Sequence, residues 1–199
     1  MPFTDDAMPV SAGMRTEDFL LRPIREADAE LDHEAVMESR EFLRTWEQSS
    51  WPEDDFTVEA NREDLRKLER RHTAKEAFTY TVMNLTETRC LGCLYIFSTD
   101  AGMFRRAEIS AIDRAEWSDY DAAVYFWIRK SDLADALDRR LLDALRPWLA
   151  RDWRFDKVLF VTNEQFEQQV EMIEKAELPL AFRIDDPKAE RDFLAYAVR

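Results

Sequence analysis

The sequence predicts an α+β fold, an α/β/α layered arrangement with a single mixed, largely antiparallel central sheet flanked by helices. Three observations carry that prediction. Short apolar runs rich in β-branched and aromatic residues alternate with segments of helical periodicity, in the order β-α-α-β-β-β-α-β-α-β. Two of the runs, Phe78 to Met83 and Cys90 to Phe97, are separated only by the polar stretch Asn84 to Arg89, which reads as an antiparallel hairpin. The run Ala122 to Ile128 turns directly into a long amphipathic helix, and strands joined through a helix are expected to pair in parallel.

The elements follow in order. Residues 1–16 are mixed and turn-like and read as a flexible leader, with one domain over 17–199. Phe19 to Ile24 is a first strand, and Pro23, which lacks an N–H to give to a ladder, marks an edge or the strand's end. Asp28 begins a helix whose apolar face carries Leu31, Ala35, Val36 and Leu43. Trp46 to Phe56 is a loop in which Trp46 and Trp51 stand beside Glu53, Asp54 and Asp55, so it either borders a substrate site or packs its tryptophans on the core. Thr57 to Glu76 is a heavily charged, solvated helix. After the hairpin, residues 98–119 form a long polar connection with Glu108 and Asp119, of the kind that is functional or mobile.

The helix from about Asp132 to Trp153 buries Leu133, Leu137, Leu141, Leu145 and Trp148, with Pro147 expected to kink it. Lys157 to Thr162 is a buried strand, Asn163 to Glu177 a helix with Phe166, Val170 and Ile173 inward, and Asp192 to Val198 the last strand.

Composition excludes several functions. A formal charge of −14 argues against binding nucleic acid through phosphate neutralisation. No apolar run is long enough to span a membrane, and the start Met1-Pro2-Phe3-Thr4-Asp5-Asp6 lacks the basic and apolar regions of a secretory signal, so a cytoplasmic protein is expected. Only three glycines occur, which excludes Walker-type and dinucleotide-type phosphate loops. Cys90 and Cys93 form one C-x-x-C inside a strand, where residues three apart point to opposite faces. They are expected to be inert buried thiols, and no metal site is expected.

The element order, with the Leu21-Arg22-Pro23 opening, the Leu91-Gly92 strand, the Tyr125-Phe126-Trp127-Ile128 strand and Glu174-Lys175 near the end of the penultimate helix, resembles the GNAT superfamily of N-acetyltransferases over about Phe19 to Val198. The resemblance implies acetyl-CoA as co-substrate, a small-molecule amine as acceptor, and often a homodimer. It assigns the pantetheine to Phe126, Trp127 and Ile128 and the pyrophosphate to the turn from Ser131 to Asp138, which holds Ala134 and Ala136 and is flanked by Arg129 and Lys130; the family's Asn at the start of the next helix is matched by Asn163, about one turn early.

The phosphate motif departs from the family's pattern. Leu133, Ala136 and Asp138 stand where that pattern has a basic residue or Gln, a Gly, and a Gly or Ala. Asp138 would set a carboxylate against a pyrophosphate, and Arg129, Lys130, Arg139 and Arg140 either screen it or pair with the helix's own aspartates. The family's proton-donating Tyr corresponds to Ile173, so Tyr125, the nearest tyrosine by sequence, is either a stand-in acid or a buried structural tyrosine. Acyl transfer to an amine also needs a base, and Glu108, Asp119 and Asp121, all preceding the 122–128 strand, are the candidates. Two functions therefore stand: an acetyl-CoA-dependent N-acetyltransferase, or a GNAT-fold binding protein without acetyl-CoA affinity.

Overall fold

The computed structural model describes Phe3 and residues 10–198. Among the described residues nine strands form one sheet: β1 (Met14–Arg15), β2 (Leu20–Pro23), β3 (Phe78–Met83), β4 (Cys90–Ser98), β5 (Glu108–Ala111), β6 (Ala122–Ile128), β7 (Val158–Asn163), β8 (Leu180–Asp185) and β9 (Phe193–Val198). Their order across the sheet is β1-β2-β3-β4-β6-β7-β9-β8-β5, with only β6 and β7 parallel. Helices α1 (Ala29–Glu38), α2 (Arg40–Glu47) and α3 (Val58–Thr73) cover one face, while α4 (Leu137–Arg151) and α5 (Glu167–Lys175) cover the other. The layered α+β class stands.

Period-two alternation sorts the strands' side chains between two cores. Val124, Phe126 and Ile128 of β6 join Leu141, Leu145 and Trp148 on the α4 side. Ala123, Tyr125 and Trp127 join Val36, Leu43, Trp46 and Leu65 on the α1–α3 side.

Several expectations are corrected. The connection at 98–119 contains β5, an edge strand paired with β8, and is pinned by Phe104 and Trp117, whose rings lie 5.0 Å apart. β8 breaks the rule that helix-joined strands pair in parallel: after α5 the chain runs along β8, turns back, and inserts β9 between β7 and β8, antiparallel to both. β2 and β3 are antiparallel as well, because three helices intervene where the parallel crossover rule presumes one. The segment after β6 is first a 3-10 turn over Lys130–Asp135, and α4 starts only at Leu137. Part of the expected leader lies outside the described residues; of the rest, Met14 and Arg15 pair with Leu21 and Leu20, and the Ser11 carbonyl accepts the Tyr80 hydroxyl at 2.6 Å.

Cys90 and Cys93 share one face, contrary to expectation. The β3–β4 register jumps from Val82↔Gly92 to Met83↔Cys90, leaving Leu91 as the extra residue of a bulge. Gly92 makes the bulge possible, since it sits at φ +155° and a Cβ there would lie 2.1 Å from the Trp127 carbonyl oxygen. Both thiols are buried, and burial pushes their pKa values up, consistent with unreactive side chains.

Candidate functional site

The sheet opens where β6 and β7 part. They pair only from Ala122↔Val158 to Val124↔Phe160, so the β6 backbone from Tyr125 onward has no strand partner on that side. Such a wedge exposes main-chain donors and acceptors to whatever fills it. Here the chain fills part of it: Gln169 of α5, itself 2% exposed, donates Nε2–H to the Phe126 carbonyl at 3.0 Å, and its Oε1 is buried without a partner.

The turn beyond β6 is occupied in the same manner. Ala136 adopts the left-handed conformation, φ 54° and ψ 37°, at the position where the family pattern has Gly. A Cβ is tolerated because Ala136 is exposed, although the conformation costs an alanine about 1 kcal/mol. The next turn places Asp138 at the amino end of α4, 4% exposed. Its Oδ1 accepts the Arg139 backbone N–H at 2.8 Å, and its Oδ2 accepts Gln168 Nε2–H from α5. A carboxylate is the natural partner for a helix N-terminus. It stands here where a bound phosphate would have to stand.

The cations named for screening are committed elsewhere. Arg129 is 4% exposed and its guanidinium binds Glu34 and Glu38 of α1, holding the Glu38 carboxyl down at about 2. Arg139 pairs with Asp143 and Arg140 with Asp18, both at 3.0 Å. Lys130 and Ala134 are exposed, and the Lys130 backbone N–H goes to the Ser39 hydroxyl at 3.0 Å. Trp127 and Ile128 are buried core. Asn163 ties β7 to α2 by donating to the Thr45 and Trp46 carbonyls, while its Oδ1 accepts the Gln165 N–H. These residues do not fit an acetyl-CoA pyrophosphate: the helix end holds an acid, and three of the four expected cations are paired.

The opposite face is different. A cavity of about 580 Å³ lies between α2, α3 and the sheet, walled by Trp46, Trp51, Tyr95, Phe97, Tyr125 and Phe193. A neighbouring cavity of about 300 Å³ shares Glu47, Met103, Tyr125 and Phe193 with it. The Tyr125 hydroxyl has no hydrogen-bond partner among the described residues, and burial raises its pKa, keeping it a neutral donor. Glu47, at the carboxyl end of α2, is exposed and lines both cavities; its carboxyl is raised by partial desolvation and by the nearby charges of Asp64 and Glu53, against one bond from the Ser49 hydroxyl at 3.1 Å.

The base candidates lie elsewhere. Glu108 is exposed on the edge strand β5. Asp119 pairs with Lys157 at 3.4 Å, and Asp121 accepts the backbone N–H groups of Asp156 and Lys157, at the far end of β6. None of the three lines either cavity. Glu47, which does, carries no signal of its own in the sequence: Thr45-Trp46-Glu47-Gln48 is an ordinary helix end, and only the nearby Trp46 and Trp51 point to a site.

Known structures share this architecture. The ribosomal-protein-S5-alanine acetyltransferase of Vibrio fischeri matches with a TM-score of 0.67 at 15% identity, over 94% of this chain and 96% of that one. RimL, the ribosomal L7/L12 alpha-N-protein acetyltransferase in complex with coenzyme A, matches with 0.67 at 15% identity, over 92% and 94%. Mycobacterium smegmatis RimJ in complex with CoA-disulfide matches with 0.66 at 14% identity, over 96% and 84%. No protein-family model and no curated protein matches the sequence. The fold is that of the GNAT acetyltransferases. No described helix is long and apolar enough to cross a membrane.

Proposed function

We propose that this chain uses the GNAT fold as a small-molecule binding module whose working site is the aromatic cavity on the α1–α3 face. In this reading the groove that serves acetyl-CoA elsewhere in the fold is closed by the protein itself. The observation that carries it is the pair of bridges made by consecutive glutamines of α5, Gln168 to Asp138 and Gln169 to the Phe126 carbonyl. Together they span the wedge and hold the Asp138 carboxylate at the α4 terminus, so a pyrophosphate entering there meets like charge and an Arg139 N–H already taken.

A second reading, an N-acetyltransferase, is favoured by the unpartnered Tyr125 hydroxyl and by the coenzyme A bound to RimL and RimJ. There Glu47 would take a proton from an amine in the cavity, and Tyr125 would give one to a leaving group. The acceptor class separates further: RimL acts on ribosomal L7/L12, whereas a walled cavity suits a small amine.

A thermal-shift titration with acetyl-CoA decides between them. The binding-module reading expects an unchanged melting temperature up to millimolar acetyl-CoA. A ligand at 100 times its dissociation constant stabilises by about 2.7 kcal/mol. A shift of that size would overturn the first reading in favour of the second.

A further inference from the structure

We infer that the cavity on the α1–α3 face takes an amphoteric ligand, a slender apolar molecule with an ammonium group at one end and a carboxylate at the other. The inference rests on the reading that this cavity is the working site.

The walls supply the apolar part. Six aromatic rings line a space of about 580 Å³, within the usual size of small-molecule sites. The two ends differ in charge. At the α2 end, Glu47 has no cation within ion-pairing distance among the described residues; its charged neighbours are Asp64 and Glu53. A bound ammonium would offset the repulsion between that exposed carboxylate and its acidic neighbours. Trp46, Trp51 and Tyr95 beside it offer the π faces on which cations rest.

At the other end, the Arg71 guanidinium lies over the Phe97 ring at 5.8 Å with no carboxylate partner among the described residues, and Arg70 is likewise unpaired. That is notable in a chain with 42 acidic and 28 basic residues, where Lys67, between the two ends, is neutralised by Asp64 at 3.0 Å. A guanidinium within cation–π reach of a ring and without an ion partner has its N–H donors available to a carboxylate.

The helix sets the distance between the ends. Asp64, Leu68 and Arg71 follow one face of α3 at i, i+4 and i+7. Seven residues of helix advance about 10 Å, so Asp64, which neighbours Glu47, and Arg71 are separated by about that length with Leu68 between them.

Isothermal titration calorimetry of the full chain with 8-aminooctanoate, octylamine and octanoate tests this, because the first carries both charges at a matching separation and the others carry one each. The expected result is that 8-aminooctanoate binds at least tenfold tighter than either single-charge probe. Glu47→Gln should weaken 8-aminooctanoate and octylamine by tenfold or more and leave octanoate unchanged. Arg71→Met should weaken 8-aminooctanoate and octanoate and leave octylamine unchanged. Equal affinity for the three probes, equal loss for all three in both variants, or no heat from any probe at 10 mM would overturn the inference. A melting shift with acetyl-CoA is a separate outcome, which overturns the underlying reading and not the charge pattern of the cavity.

Discussion

The two faces of the sheet differ in what they leave unsatisfied. On the α4–α5 face the polar groups of the cofactor groove are bonded to the chain itself: Asp138 to Gln168 and to the Arg139 N–H, and the Phe126 carbonyl to Gln169. The core beneath is continuous, with Trp148, Trp153, Phe126 and Phe160 each at most 2% exposed. On the α1–α3 face, polar groups line open space instead: among the described residues the buried Tyr125 hydroxyl has no hydrogen-bond partner, the exposed Glu47 carboxylate has no counter-ion, and the half-buried Arg71 has its guanidinium 5.8 Å from the Phe97 ring centroid with no carboxylate partner. One fold thus carries a face whose groove is spanned by its own side chains, although Gln169 Oε1 and Trp153 Nε1 stay buried and unbonded there, and a face whose charged groups line an open cavity. Charged groups without ion partners around an aromatic-walled cavity, with a buried hydroxyl facing it, point to a ligand on that side.

The sharpest way to break the comparison is to truncate one tryptophan on each face. Trp148 is 1% exposed and donates its indole N–H to the Ser11 hydroxyl at 3.0 Å; Trp148→Ala should cost about 4 kcal/mol in a denaturant unfolding experiment. Trp51 lines the cavity and is only partly buried, so Trp51→Ala should cost about 1 kcal/mol or less. Similar losses for both would show that the cavity wall is ordinary core.

A second test uses pH. Asp32 on α1 is 4% exposed, accepts a bond from Asn61 at 3.0 Å, and has its carboxyl pushed up to about 6, chiefly by burial. A raised acid means that the folded state binds its proton more tightly than the unfolded chain does. Its contribution to stability is therefore full below the ordinary value of 3.8 and is lost as pH rises to about 6. Asp32→Asn removes that dependence, so its stability relative to the parent should rise by about 2 kcal/mol between pH 4 and pH 6.5. A flat difference across that window would show that Asp32 is not desolvated and that the α1–α3 face is looser than described.

The smallest effect concerns the turn at the head of α4. Ala136→Gly relieves a left-handed alanine and should raise stability by about 1 kcal/mol, or about 3 °C in melting temperature. Because Asp138 still occupies the helix end, this variant should gain no acetyl-CoA binding in the same melting assay. If it did, the missing glycine rather than the carboxylate would be what closes the groove.

Much of the fold was legible along the chain. Seven consecutive apolar residues, Ala122 to Ile128, coincide with β6, and the leucine stripe coincides with the buried side of α4, because period and run length are local properties. The short strands β1, β5 and β8 were not legible: two to six residues with exposed positions carry little alternation, and they are strands only because a neighbour supplies hydrogen bonds. The same reason explains Cys90 and Cys93, whose shared face follows from one bulge residue that Gly92 permits against Trp127.

The site divides along the same line. The sequence by itself determined the composition of the phosphate turn, with Leu133, Ala136 and Asp138 in the motif positions, and it singled out Tyr125 and the tryptophans Trp46 and Trp51. Only the tertiary structure decided what each charge meets. Arg129 lies 91 positions from Glu38 and binds it, Asp138 lies 30 positions from Gln168 and binds it, and Glu47 faces the cavity while Glu108, Asp119 and Asp121 do not. A charge has no periodicity to read. Its role is set by the partner that folding brings within a few ångströms, and by whether folding brings one at all.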